Sequence, residues 1–115
     1  MRRFGRRFGR QTGSLRVTDA ERISRAEMGI THRDFLRIFP RLVGDAEAVV
    51  TRAGARVDWP DSRSLEVEMS AEHVRRLGRL KMPYVNLEFI FRGFAPLERE
   101  HFMQRFDRAF QKGGG

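Results

Sequence analysis

The strongest pattern in the sequence is an alternation of apolar and mostly polar positions between residues 84 and 92, in which Ile90 is the apolar exception on the second side. Four apolar side chains fall on one side of an extended chain: Val85, Leu87, Phe89 and Phe91. Residues 65–69 repeat the pattern, with Glu66 and Glu68 between apolar neighbours. Strands of this kind have one buried and one wet face, so they predict an antiparallel sheet covered on one side.

Helix signals flank these strands. Thr18 and Glu21 have capping-box spacing, which predicts a short helix that ends at Gly29. Thr31 is a second N-cap, and apolar residues follow it at helical spacing as far as Gly44. Near the C-terminus, Pro96 is suited to the first position of a helix. Four residues form the apolar stripe of that helix: Phe102, Phe106, Ala109 and Phe110.

The segments between these elements complete the predicted fold. Alternating apolar residues between 48 and 59 favour one or two strands, with a tight turn or a bulge at Ala53 and Gly54. Ser70 is placed to cap a short turn of helix that ends at Gly78. We therefore predict an α+β fold: a small antiparallel sheet of three to four strands with N- and C-terminal helices packed on one face.

The positive charge is unevenly distributed. Of the 23 basic residues, six lie in residues 1–17, which contain no acidic residue, whereas residues 18–115 hold 17 basic and 15 acidic residues. A glycine-containing run of like charges cannot bury enough apolar surface to fold. We therefore predict a disordered basic arm (1–17), a single α+β domain (18–112) and a frayed glycine tail (113–115).

Composition excludes several classes of function. The chain has no cysteine, so disulfides, thiolate metal sites and cysteine nucleophiles are excluded. No segment approaches the roughly 18 consecutive apolar residues of a membrane span, and the arm is not followed by the apolar region of an export signal. We expect a cytoplasmic protein without a metal or cofactor.

The arm is the first candidate binding site. It contains a tandem Arg-Arg-Phe-Gly repeat, in which arginines can neutralise phosphates and phenylalanines can stack on unpaired bases. The residues proposed for RNA or single-stranded nucleic acid are Arg2, Arg3, Phe4, Arg6, Arg7, Phe8 and Arg10. The same composition suits an anionic membrane surface, an acidic groove of a protein partner, or a solvated terminus with no ligand.

A second basic cluster lies at Arg75, Arg76, Arg79 and Lys81, with no acidic residue between it and Asn86. On a connection between two strands, these side chains could bind phosphates together with the arm. The alternative interpretation is an ordinary solvated loop whose long side chains cover part of the core.

Catalytic chemistry has little support. Glu66 and Glu68 share the wet sheet face and could act as an acid–base pair, and Glu98 and His101 have the Glu-x-x-His spacing of carboxylate-bundle metal sites. That spacing occurs once, and nucleophile and phosphate-loop motifs are absent. The leading hypothesis is a non-enzymatic accessory domain that binds another protein. Nucleic-acid binding is the alternative, and a small enzyme using Glu66, Glu68 or His101 is third.

Overall fold

A computed structural model of the chain describes residues 20–113, and the side chains of residues 20–111. The described part contains six strands and two helices. In chain order these are β1 (Ala20–Met28), α1 (His32–Val43), β2 (Glu47–Thr51), β3 (Gly54–Asp58), β4 (Ser64–Met69), β5 (His73–Leu77), β6 (Leu80–Arg92) and α2 (Pro96–Gly113). The basic arm and the last two glycines lie outside the described residues.

The prediction of a three- to four-stranded sheet with an N-terminal helix is wrong. The sheet has six strands, and the first described element is a strand rather than a helix. β1 forms because it pairs with β6, which places Ile23 opposite Phe89 and Arg22 opposite Ile90. The capping-box signal is local, and pairing with a distant strand overrides it.

All strand pairs are antiparallel, and the sheet order is β1-β6-β4-β3-β2. β6 is the central and longest strand. Its C-terminal part lies between β1 and β4, and its N-terminal part pairs with β5 alone. β4 and β5 thus follow one another along the same side of β6, and the β5–β6 hairpin extends beyond the sheet.

The hydrophobic core lies on one face of the sheet. Both helices cover that face with phenylalanines: Phe35 and Phe39 from α1, and Phe106 and Phe110 from α2. Phe35 stacks on Phe39 with ring centroids 4.8 Å apart, and Phe106 meets Phe89 of β6 edge to face at 4.7 Å. These contacts join the two helices to the central strand.

Local signals mark both ends of α1. Thr31 is the N-cap of α1 and forms a capping box with Asp34, and Gly44 is the C-cap. α1 continues through Pro40. Within residues 20–113, no helix is long and apolar enough to cross a membrane.

The outer face of the sheet carries a ladder of ion pairs. Glu66 accepts hydrogen bonds from Arg56 at 3.0 Å and from Arg92 at 3.1 Å. On the neighbouring row, Arg22 lies 3.0 Å from Glu88. These cross-strand pairs keep the uncovered face charged and solvated.

Candidate functional site

The β5–β6 hairpin, residues 73–84, projects from the end of the sheet. Its strands pair from His73 opposite Tyr84 to Leu77 opposite Leu80, around a two-residue turn at Gly78 and Arg79. Gly78 has φ of 62°, which suits the first position of a type II′ hairpin turn and favours glycine there. The projection contributes to an elongated shape, with extents of 54 × 24 × 23 Å.

Large apolar side chains are exposed on this projecting hairpin. Every residue from 71 to 83 is exposed. Four of them are large and apolar, with exposed fractions of 61% for Val74, 53% for Leu77, 65% for Leu80 and 45% for Met82. No element within residues 20–113 covers them: Leu77, Leu80 and Met82 lie on one face of the hairpin, and Val74 lies on the other. Clustered exposed apolar side chains of this kind indicate a binding surface.

Basic residues lie at the turn of the hairpin and on the face that carries Val74. Arg76 lies directly opposite Lys81, and Arg79 occupies the turn. Like charges directly opposite each other destabilise a strand pair. Among residues 20–113, none of these three cations has an ion-pair partner, and no acidic residue occurs from position 73 to 87. The hairpin therefore presents uncompensated positive charge beside its apolar side chains.

The base of the hairpin is held by stacking and one ion pair. His73 stacks on Tyr84 with ring centroids 5.2 Å apart, and the Arg75 guanidinium lies 5.5 Å from the Tyr84 ring centroid. Arg75 also forms an ion pair with Glu27, at the irregular end of β1. Of the three arginines predicted from the sequence, Arg75 is therefore partly neutralised, whereas Arg76 and Arg79 are not.

Polar contacts join the hairpin base to α1. The Ser70 carbonyl lies 2.8 Å from Nε2 of His32, and a Glu72 carboxylate oxygen accepts a hydrogen bond from the His32 amide at 2.8 Å. Ser70 also bonds to Asn86 through its amide and its hydroxyl. These hydrogen bonds connect the base of the hairpin to α1 and to β6.

The two predicted basic sites are attached at opposite ends of the sheet. The seven candidate residues of the arm lie outside the described residues. The described chain begins at Ala20, which pairs with Arg92 at the far end of β6 from Leu80. At about 3.3 Å per residue, those two ends of β6 are roughly 40 Å apart. The structure therefore does not bring Arg76 and Arg79 close to the point where the arm joins.

The residues proposed for catalysis are not assembled. Glu66 is paired with two arginines, and Glu68 lies directly opposite Glu88 on the outer face. His101 belongs to α2, on the opposite side of the sheet. Across residues 20–113, no group of three His, Asp or Glu side chains is arranged to hold a metal ion.

His101 instead borders a cluster at the start of α2. The Arg63 guanidinium lies 5.3 Å from the Trp59 ring centroid and 5.1 Å from that of Phe94. A shallow cavity of about 230 Å³ separates this cluster from His101 and Arg105. Because Arg63 already covers both rings, the aromatic surface is occupied from within the chain.

Arg63 also lowers the pKa of the Asp61 carboxyl group, and this effect can be tested. Hydrogen bonds from Arg63 to the Asp61 side chain hold the pKa of Asp61 below its ordinary value. A lowered folded-state pKa stabilises the fold above the unfolded-state pKa, and this contribution is lost as the pH falls through the folded-state pKa. We expect Arg63→Met to raise the pKa of Asp61, measured by NMR titration of its carboxyl carbon. An unchanged pKa in the variant would show that Arg63 is not the cause.

The sequence interpretation found the cations of the hairpin but not its apolar side chains. The short helix predicted between Ser70 and Gly78 is wrong, because Val74 and Leu77 lie in β5. A usable signal is the Gly-X turn at Gly78 and Arg79, which is followed by alternating Leu80, Met82 and Tyr84.

Comparisons of the chain with protein-family models, with curated protein sequences and with solved structures give no match in any of the three.

Proposed function

We propose that this chain is a non-enzymatic accessory protein that binds another protein through the projecting hairpin. The observation that carries the proposal is the exposure of Val74, Leu77, Leu80 and Met82 on an element that no other described element covers. A monomeric protein gains nothing in stability from displaying such side chains together. When a partner buries these side chains, the removal of their apolar surface from water contributes to the free energy of binding.

The composition of the hairpin supports a protein partner. Protein interfaces combine an apolar centre with tyrosine, methionine and arginine, and their strongest contacts are often aromatic or arginine side chains. Tyr84, Met82 and three arginines accompany the leucines here. Nucleic-acid interfaces are more polar, and their contacts are mostly with phosphates.

Nucleic-acid binding is the second candidate, and the uncompensated cations favour it. Arg76, Arg79 and Lys81 could neutralise phosphates, and a two-stranded ribbon fits a groove of duplex nucleic acid. The arm residues from Arg2 to Arg10 would add to that binding. A nuclease treatment separates this candidate from the first.

The proposal is tested by removing the apolar tip. We expect the double variant Leu77→Ser and Leu80→Ser to lose the partner that the full chain retains from native lysate, because both side chains would be buried at the interface. Truncation of buried interface residues costs about 1–2 kcal/mol or more each, so retention should fall at least about tenfold. Retained protein is quantified by mass spectrometry, with and without nuclease.

A matched control keeps the apolar loss constant. Val49 and Leu97 are 67% and 60% exposed and lie on β2 and α2, away from the hairpin. The double variant Val49→Ser and Leu97→Ser should retain the partner at the level of the unmodified chain. Equal losses in both variants would contradict a specific role for the hairpin. Loss of all retained material after nuclease treatment would favour the second candidate instead.

A further inference from the structure

The hairpin has two free edges, and they differ. The outer edge of β5 pairs with no other strand in the described part of the chain. The outer edge of β6 is free only from Leu80 to Tyr84, because β1 pairs with β6 from Val85 onwards. An open edge is a template for a further strand.

Pro83 blocks the free edge of β6. Proline has no amide hydrogen, and within sheets it is confined to positions where that hydrogen is not needed for pairing. Pro83 lies opposite Val74, so its amide position faces away from β5 and towards the open side. A strand arriving on this side would meet no donor at Pro83. The edge of β5 contains no proline.

The register identifies the free amides of β5. In a two-residue hairpin the residues flanking the turn, Leu77 and Leu80, exchange hydrogen bonds with each other, and the pattern alternates from there. Arg75 and Leu77 therefore direct their amides towards β6, whereas Val74 and Arg76 direct theirs outwards. The bond from the Ser70 amide to the Asn86 carbonyl, at 2.9 Å, fits the same alternation in β6.

We propose that the outer edge of β5 accepts an extended acidic segment of the protein partner as an additional strand. This rests on the proposed function and names the partner's chemistry. The main chain of the partner would bond to Val74 and Arg76. Its carboxylates would lie beside Arg76 on one face of the strand, and its apolar side chains would cover Leu77 on the other.

Charge favours an acidic segment over a second copy of this chain. Pairing two β5 strands would bring together the uncompensated Arg76, Arg79 and Lys81 of both copies, and like charges across an interface oppose association. An acidic strand removes the repulsion between Arg76 and Lys81 that the free hairpin contains. The cations and the open strand edge thus both favour an extended acidic segment.

The test uses the full chain and a short synthetic peptide of alternating Glu and Val. We expect the peptide to bind, as measured by fluorescence anisotropy, and a peptide of alternating Lys and Val not to bind. In the complex, amide hydrogen exchange at Val74 and Arg76 should slow by at least about tenfold, since both amides become hydrogen-bonded. The amides of Arg75 and Leu77, which already face β6, should change less.

Two variants separate main-chain pairing from charge. Val74→Pro removes one outward amide, and we expect at least about fivefold weaker binding than for Val74→Ala, which keeps it. Arg76→Glu with Lys81→Glu should weaken binding by at least about tenfold. The charge-matched control is Arg33→Glu with Arg108→Glu, on exposed positions of α1 and α2. It changes the net charge by the same amount, away from the hairpin, and should bind within about twofold of the unmodified chain.

Several results would overturn the inference. Failure of the Glu–Val peptide to bind, or binding without protection of Val74 and Arg76, would exclude strand addition. Tighter binding of an oligouridine RNA, with the same dependence on Arg76 and Lys81, would assign the hairpin to nucleic acid. If Leu77→Ser with Leu80→Ser abolishes lysate retention but Val74→Pro does not, the proposed function stands and strand addition fails.

Discussion

Replacing Gly54 by alanine should lower the free energy of unfolding by about 3 kcal/mol or more. The added methyl group has no room, and the backbone conformation at this position is strained for any residue other than glycine. Gly54 has φ of 139°, and a Cβ atom there would lie 1.8 Å from the Val67 carbonyl oxygen. That oxygen belongs to the backbone of β4, so β3 and β4 would have to separate. Urea denaturation followed by circular dichroism measures the change.

Gly29 supplies the matched control for this substitution. A Cβ atom at Gly29 would meet nothing within 4 Å, and Gly29 is not among the residues with positive φ. Gly29→Ala should stay within about 0.5 kcal/mol of the unmodified chain. Both variants reduce the entropy of the unfolded chain equally, so their difference isolates the clash. Equal urea midpoints would show that the close approach of β3 and β4 does not exist.

Replacing Phe106 by alanine should lower the free energy of unfolding by about 3–5 kcal/mol, the usual range for a buried phenylalanine. Phe106 is fully buried, and its ring centroid lies 4.7 Å from that of Phe89 and 4.4 Å from that of Phe110. The substitution would leave a cavity between α2 and the central strand. A small domain has about 5–15 kcal/mol in total, so this is a large part of its stability.

The control for Phe106 lies on the same helix. Leu97 is 60% exposed, and Leu97→Ala should change the free energy of unfolding by no more than about 0.5 kcal/mol. Near-ultraviolet circular dichroism provides a second readout, because the loosened aromatic cluster of the Phe106 variant should lose signal. A loss below about 1 kcal/mol for Phe106→Ala would contradict the packing described for α2.

Elements with strong periodicity could be predicted from the sequence. Residues 84–92 lie within β6, residues 65–69 lie within β4, and the helix predicted between Thr31 and Gly44 is α1. In these segments the local pattern and the tertiary environment favour the same conformation. The aromatic stripe of α2 is likewise buried, with Phe106 at 0% exposure.

The errors occur where local and long-range preferences differ. Residues 20–28 contain few apolar positions and follow a capping-box signal, but pairing with β6 makes them a strand. Residues 73–77 also became a strand, because the turn at Gly78 and Arg79 folds them back on β6. No local propensity reveals a partner strand that lies more than 60 residues away, as Phe89 does from Ile23.

The candidate site could be predicted only in part, for a physical reason. Charge is visible in the sequence, so Arg75, Arg76 and Arg79 can be predicted as a basic cluster without knowledge of the fold. Exposure depends on what covers a residue, and Leu77 and Leu80 have the composition of core residues. Only the topology shows that the hairpin extends past every element that could bury them.

The hairpin is attached to the rest of the domain through polar contacts, so its sequence is not constrained by the packing of the core. No residue between 73 and 84 belongs to the hydrophobic core, and the contacts at its base are made by His32, Ser70, Glu72 and Asn86. The tip can therefore be lengthened, shortened or given new side chains while the body folds as before. Under the proposed function, the hairpin could acquire a different partner through changes that leave the core of the domain intact.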